Sequence, residues 1–482
     1  MKIKTVSVKN FRGIGGDEPT SFECENFNLF IGDNGTSKTA ILEAINLCLS
    51  SSYAASRLSI KDFYLGSDKP IEIKTFFEEP FNVSIPDLYG NAQTIQCNGI
   101  ALTAKKRDRS APGKAFNDLV VAEHHYLPIE EKGEEGWSIT RKSGSELKVT
   151  ARHLALSYAS SEVPKAFYFG RDRGKHLQKR FKTSISNIID DLNWRFEKNE
   201  RVKEDAEKFK HKRADLEKHV YDNTGGDTLK STIEETNKTL KRLDIPPIDL
   251  SLIKTLTPYD TAEVVKRFDG FELPIQLAGS GIEMITALVF LETLARISKS
   301  EICIIIDEPE LHLHPTLQDK IAHHLEHISK TSQVFASTHS PFFFKNCFER
   351  SGIKVLLAEI NDDKVRVRDA KDKWFGLLQW SPSWGEICYF AYNLPTNEFH
   401  DDLYASLQDK IGFERVCDIE AWFTSNGQSK EIKWTDANGN IQEETLMTYI
   451  RNRIHHGDNQ NRPLFTPKQL ADSIKRMISL LR

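Results

Sequence analysis

Hydrophobic and polar positions alternate at the start of the chain, in KIKTVSV, and predict a strand that breaks at the turn NFRGIGG. The apolar run FNLFI (27–31) predicts a second strand, which leads directly into GDNGTSKT (32–39). AILEAINLCLS (40–50) follows with apolar residues at helical spacing. PIEIKTFFEE (70–79) predicts another strand, and residues 81–150, punctuated by Gly, Pro and Asn, predict antiparallel strands and loops. From about 175 to 243 the pattern turns long, charged and helical, broken by YDNTGGD (221–227). It reads as a helical hairpin, either a short antiparallel coiled coil or a plain solvated insertion. LAGSGIEMITALVFLETLARI (277–297) then predicts a loop and a helix, and EICIIIDEPELHLHP (301–315) a buried strand ending in two acids. TLQDKIAHHLEHISK is an amphipathic helix, and SQVFASTHSPFFF (332–344) is a buried strand ending in Ser, Thr, His and Ser. Residues 355–370 read as a hairpin, and 371–482 as mostly helical with a hairpin at 431–444.

Composition narrows the classes. A chain of 482 residues suits two or three domains, and 39% hydrophobic with 28% charged residues suits a soluble, globular protein. No apolar run approaches the roughly 20 residues needed to cross a bilayer, and the N-terminus lacks the apolar core of a signal peptide. The seven cysteines are scattered, odd in number and free of CxxC pairs, which predicts reduced thiols and a cytoplasmic protein. A net charge of −4 excludes a globally basic nucleic-acid binder and leaves local patches open. KKRDR (105–109) and RDRGKHLQKR (171–180) are such patches; without interleaved aromatics they read better as solvated faces. Phe167, Tyr168 and Phe169, before the second patch, read as the end of a strand.

Strand, glycine-bearing loop and helix is the context of a phosphate-binding loop, whose backbone N–H groups and helix N-terminus face the phosphates. GDNGTSKT fits with Gly32, Lys38 and Thr39, while Ser37 stands where the second glycine belongs. Asn34, Gly35 and Thr36 complete the loop; Gly35 permits close backbone approach. Ser37 is small and suits a helix start. Lys38 is expected to reach the β- and γ-phosphates, and Thr39 to hold Mg²⁺. Asp307 closes the strand CIIID, where a P-loop enzyme keeps its Mg²⁺-binding acid, and Glu308 is the candidate that polarises water. A strand whose acids merely cap a helix is the plainer alternative. His339 in STHSP can donate to a γ-phosphate. Ser280 and Gly281 precede a helix and suit a second anion site, or an ordinary cap. The HLH triplet at 312–314 invites a metal reading, weaker than a place in a loop beside the acids.

The ordered set NFRGI, GDNGTSKT, LAGSG, IIIDEPELHLHP and STHSP resembles the ABC-type ATPases of the SMC, RecF and OLD group over roughly residues 1–80 and 255–345. The resemblance implies an α/β P-loop ATPase head using ATP and Mg²⁺. It implies two heads dimerised head to tail, as a homodimer or a higher homo-oligomer. Lys38, Thr39, Asp307, Glu308 and His339 would act in cis, Ser280 and Gly281 in trans, with Arg12 beside the nucleotide. GSGIE departs from the family's usual signature, and no Q-loop glutamine is assigned. The expected organisation is an N-terminal head part (1–165), a helical insertion (166–250), a second head part (251–370) and a helical C-terminal domain (371–482).

No series of strand-end acids marks a nuclease in residues 350–482. A head of this kind without a fused nuclease resembles the ATPase subunits of PARIS and Septu anti-phage systems, PARIS more closely. That implies a separate effector nuclease and a phage trigger protein as partners. YIRNRIHHGDNQ (449–460) supports another reading: Arg451, Asn452 and His456 fit the RNxxxH pattern of HEPN ribonucleases, in which His456 is a general acid or base and Arg451 stabilises a phosphorane. A polar helix end is the plain alternative. An SMC-like DNA-repair clamp is the third reading, disfavoured by so short an insertion.

Overall fold

The computed structural model describes residues 1–50, 54–85, 93–106, 120–130, 137–140, 146–149, 163–170, 265–268 and 271–274, isolated positions 211, 215, 285, 288 and 289, and 301–482 except 312, 349, 362–363, 371–374, 413, 437 and 458–461. The chain divides into two compact units, one of Met1–Arg171 with Ala295–Arg482 and one of Asp172–Leu294. Most of the expected helical insertion and the expected signature, LAGSGIEM, lie outside the described residues. Within Asp172–Leu294 the described strands are the antiparallel hairpin Val265–Phe268 and Phe271–Pro274.

The first unit opens with β1 (Ile3–Lys9), β2 (Thr20–Glu23) and β3 (Phe27–Ile31), then α1 (Lys38–Leu49). Two long strands follow, β4 (Ile71–Ile85) and β5 (Gln93–Lys106), then β6 (Val120–Pro128). The hairpin β7 (Trp137–Thr140) and β8 (Glu146–Val149) precedes β9 (Lys165–Phe169). With the hairpin above as β10 and β11, the chain continues through β12 (Ile302–Asp307), α2 (Pro315–Ile328), β13 (Gln333–Ser337), α3 (Pro341–Phe348), β14 (Ile353–Asn361) and β15 (Lys364–Asp369).

Two sheets result. One is antiparallel, in the order β2-β1-β4-β5-β6. The other runs β15-β14-β3-β13-β12-β9, parallel from β14 to β9 with β15 antiparallel at its edge. β3, β12 and β13 are buried at every position. A parallel strand covered on both faces has no solvent side, so the sequence shows unbroken apolar runs there instead of alternation. α1 is also buried nearly all round, from Ala40 to Leu49 with only Glu43 partly exposed, because it contacts strands of both sheets. Its residues share one core with Val6, Ile73 and Leu102 of the antiparallel sheet and with Ile305 and Phe335 of the parallel one. A helix apolar on every face is the kind that is buried on every face.

The parallel sheet positions the site. In such sheets ligands bind beyond the carboxyl ends of the strands. Here β3 delivers the loop 32–37, β12 delivers Asp307 and Glu308, and β13, between them, delivers Thr338 and His339. β13 ends at Ser337, and Pro341 opens α3, so the phenylalanines of PFFF are helical instead of extending the buried run. Pro fits the first turn of a helix because the N–H it lacks has no intrahelical partner there.

The C-terminal region is helical, as its pattern predicts: α4 (Trp384–Tyr392), α5 (Asn397–Ile411), α6 (Val416–Ser425), α7 (Leu446–His455) and α8 (Pro467–Leu481), with the hairpin β16 (Ile432–Thr435) and β17 (Ile441–Glu444). Leu403, Phe423, Ile450 and Ile474 lie in its core. Ser383, Thr396, Thr445 and Thr466 cap helices through their hydroxyls. Among the described residues no helix is long and apolar enough to cross a membrane. All seven cysteines are free, and burial pushes the Cys48 thiol up to about 12.

His124 on β6 donates its Nε2–H to the Cys48 carbonyl at the end of α1, 2.8 Å away. Burial is the main cause that lowers its pKa from 6.5 to about 4. The folded state thus favours the neutral ring: its contribution is full above pH 6.5 and is lost as pH falls toward 4. A difference of that size corresponds to up to about 3 kcal/mol. Urea midpoints at pH 7 and pH 4.5 are expected to differ less in His124→Gln than in the parent, and an equal difference refutes the assignment.

Candidate nucleotide site

The loop after β3 wraps its own lysine. Lys38, buried in the first turn of α1, donates from Nζ to the carbonyls of Gly32 (2.8 Å) and Asp33 (2.9 Å), and Thr36 Oγ1 lies 3.5 Å away. Thr36 Oγ1 donates to the Asp33 carbonyl, and the Asn34 N–H to Asp33 Oδ1. Gly32 is indispensable by geometry. Its φ is +141°, and a Cβ there would stand 2.2 Å from the Ala358 carbonyl oxygen of β14. Gly35 has φ +81° in open space, so only its backbone conformation calls for glycine.

Ser37 occupies the capping position of α1 at φ 66°, ψ 21°, a left-handed conformation, with no side-chain capping bond. The helix start thus accepts Ser37 for its size and not for a cap. The motif's usual glycine is missing where the backbone would use it. Left-handed backbone costs a non-glycine residue roughly 1–2 kcal/mol, against about 0.5–1 kcal/mol for the entropy of glycine. Ser37→Gly is therefore expected to raise stability by about 0.5–1 kcal/mol, read as a higher urea midpoint; a lower midpoint contradicts this.

The acids face the loop across the sheet. Thr39 Oγ1 donates to Asp307 Oδ2 at 2.9 Å, joining residues 268 positions apart. Ser337, opposite Asp307 in the β12–β13 register, donates its hydroxyl to Asp307 Oδ1. Asp307 is 1% exposed. A hydroxyl beside one buried carboxylate is a donor set that suits Mg²⁺, which binds through one or two carboxylates and substrate phosphates. Among the described residues there is no cluster of three or more His, Cys, Asp and Glu of the kind other metals favour.

Glu308 follows at φ 56°, held by its N–H to the Ser337 carbonyl (3.1 Å) and hydroxyl (3.3 Å). A glutamate in left-handed backbone is strained, and such strain concentrates at functional sites. His339 Nε2 lies 3.6 Å from Glu308 Oε1, within ion-pair reach of a protonated ring. Arg12 also has positive φ, 50°. Its Nε donates to Asp62 Oδ1 (2.8 Å) and its Nη2 pairs with Glu43 Oε2 (2.6 Å). Burial works against its charge, yet these two carboxylates outweigh burial and raise its pKa. Arg12 is thus fixed between α1 and the turn at residue 62.

Ser280 and Gly281 lie outside the described residues, as does His312. His314 caps α2, its Nδ1 2.9 Å from Thr316 Oγ1. Arg451 and His456 sit at the far end of the chain, on α7 and at its C-cap. Arg451 donates to Asn452 Oδ1 (3.2 Å), and Asn452 to Glu444 Oε1 (3.2 Å).

The profile of AAA_15, the AAA ATPase domain, matches residues 1–344 and thus spans both halves of this site. The chain belongs to the AAA_15 family of ATPase domains. It is 22% identical over 385 residues to an OLD nuclease of Thermus scotoductus, an alignment covering 77% of this chain and 65% of that protein. It is 23% identical over 423 residues to the Retron Vc95 probable ATPase of Vibrio cholerae, covering 78% and 75% respectively. A stretch of 80 residues, 16% of this chain and 19% of the relative, is 36% identical to the Septu protein PtuA of Bacillus thuringiensis. Among solved structures, an Smc head bound to the C-winged helix domain of ScpA aligns with 76% of this chain and 97% of its own, with TM-score 0.40 and 14% identity.

Three contributors to this AAA_15 site escape a reading of the sequence: Ser337, Asp62 and Glu310. Ser337 heads STHSP, but its bond to Asp307 comes from strand adjacency, and Asp62 carries no pattern and acts through chain return. Glu310 had a visible signal, the third acid of DEPE.

Proposed function

We propose that the chain binds ATP with Mg²⁺ in a head-to-tail assembly of two copies, hydrolyses it, and acts as sensor and scaffold for a separate effector nuclease in anti-phage defence. The observation that carries the nucleotide reading is the 2.9 Å bond between Thr39 and Asp307, which brings the phosphate loop and the strand-end acids to one edge of the sheet. In this reading Lys38 exchanges two neutral carbonyl partners for phosphate oxygens, a stronger charge-assisted pairing. Thr39 and Asp307 hold the Mg²⁺, which when bound offsets phosphate charge. Glu308 orients and polarises the attacking water, and His339 donates to the γ-phosphate. Ser280 and Gly281 complete the pocket of the other copy, and Arg12 lies beside the nucleotide.

The defence role is supported by similarity to the Retron Vc95 probable ATPase and to Septu PtuA. The chain spans 65% of the length of the OLD nuclease it resembles. Purification of the tagged chain from its own host during phage challenge tests this. A nuclease bound in fixed ratio is expected, with protection lost in Lys38→Ala. Absence of any nuclease, together with RNA cleavage that disappears in His456→Ala, overturns it and assigns the output to Arg451 and His456.

A further inference from the structure

Glu310 is buried three residues beyond Asp307, and its role is visible only in three dimensions. One oxygen, Oε1, accepts from Thr338 Oγ1 (2.7 Å), from the His339 N–H (3.0 Å) and from the Ser340 N–H (3.2 Å). All three donors belong to the segment that leaves β13 and carries His339. The other oxygen, Oε2, is buried and accepts no hydrogen bond from the described residues. Burial first, and the charge of Glu308 as well, push the carboxyl pKa up, while the bonds from Thr338 and His339 oppose them. A carboxylate that holds three donors despite burial is a costly group to keep for packing alone.

Its partners are otherwise well fixed. Ser340 Oγ donates to Gln318 Oε1 of α2 (3.1 Å) and accepts the Phe343 N–H (3.1 Å). The far side of the segment is thus anchored to α2 and α3, while the near side, beside Glu308, is anchored by Glu310. Between the two anchors stands His339, 3.6 Å from Glu308. A displacement of about 1 Å at a reacting group costs up to 10²-fold in rate, and side chains that hold such groups in place tune them in the same way.

We propose that Glu310 is a positioning residue that latches the His339 segment beside Glu308. The inference rests on the hydrolytic reading of Glu308 and His339, but the latch itself is measurable without ATP. In nucleotide-free protein, His339, with 29% of its side chain exposed, can be modified by diethylpyrocarbonate and followed by mass spectrometry. Glu310→Ala is expected to accelerate modification of His339 several-fold and leave His124 unchanged. Glu310→Gln keeps a carbonyl acceptor and is expected to restore the parent rate. Should Glu310→Ala not fold, Glu310→Asp, too short to span to both N–H groups, is expected to behave the same way. An unchanged His339 rate in the folded variant overturns the latch.

Steady-state hydrolysis of MgATP then tests the consequence. Glu310→Ala is expected to lower kcat at least tenfold with ATP affinity within about twofold, and to add nothing on a His339→Ala background. Equal losses on both backgrounds overturn the proposal. A parent protein with an intact latch that hydrolyses no ATP refutes the functional reading instead.

Discussion

Lys38→Ala abolishes tight ATP binding, and with it all nucleotide-dependent behaviour, in the expected result with the largest effect. The amine is buried and already faces into the loop, on the carbonyls of Gly32 and Asp33. Phosphate oxygens carry full charge where these carbonyls carry only partial charge, so they compete well for the ammonium. Hydrogen bonds between charged groups contribute about 1.5–3 kcal/mol each, so losing one or two weakens affinity by about 10-fold to 10⁴-fold. The fold is expected to survive, because α1 is anchored by its apolar residues in both sheets. Fluorescent-nucleotide titration with a thermal-unfolding control reads this. Binding within threefold of the parent refutes the assignment of the loop.

Glu308→Gln separates binding from turnover. Its amide keeps the side chain's size and leaves the left-handed backbone unaltered. It loses the negative charge proposed to polarise water, which faces His339. General base catalysis contributes about 10²–10⁴-fold, so kcat is expected to fall by that range while ATP affinity stays within a few-fold. If nucleotide closes a pair of heads and hydrolysis opens it, this variant accumulates as an ATP-dependent assembly, visible by light scattering. Equal loss of kcat and of affinity contradicts the role given to Glu308.

Much of this was legible in the sequence because it is local. A strand feeding a glycine loop and a helix needs only consecutive residues, and 27–49 reads correctly from pattern alone. The unbroken apolar runs at β12 and β13 announce strands buried on both faces. What was hidden depends on strand order. β13 lies between β3 and β12, so Ser337 meets Asp307 and Glu310 reaches the His339 segment, and no spacing along the chain encodes that. Arg12 shows the same limit: its partners Glu43 and Asp62 are found only after the chain folds back. β2 escaped because four residues pairing at a sheet edge carry too little alternation to stand out. Ser37 was accepted for a capping role that its left-handed backbone does not use.

A structure of the protein with MgATP or a non-hydrolysable analogue tests the central claim most directly. Mg²⁺ is expected to be held by Thr39 Oγ1 beside Asp307, with Lys38 Nζ turned from the Gly32 carbonyl onto the β- and γ-phosphates and Glu308 facing the γ-phosphate. A nucleotide bound elsewhere, with Lys38 still on the carbonyls of Gly32 and Asp33, would contradict it.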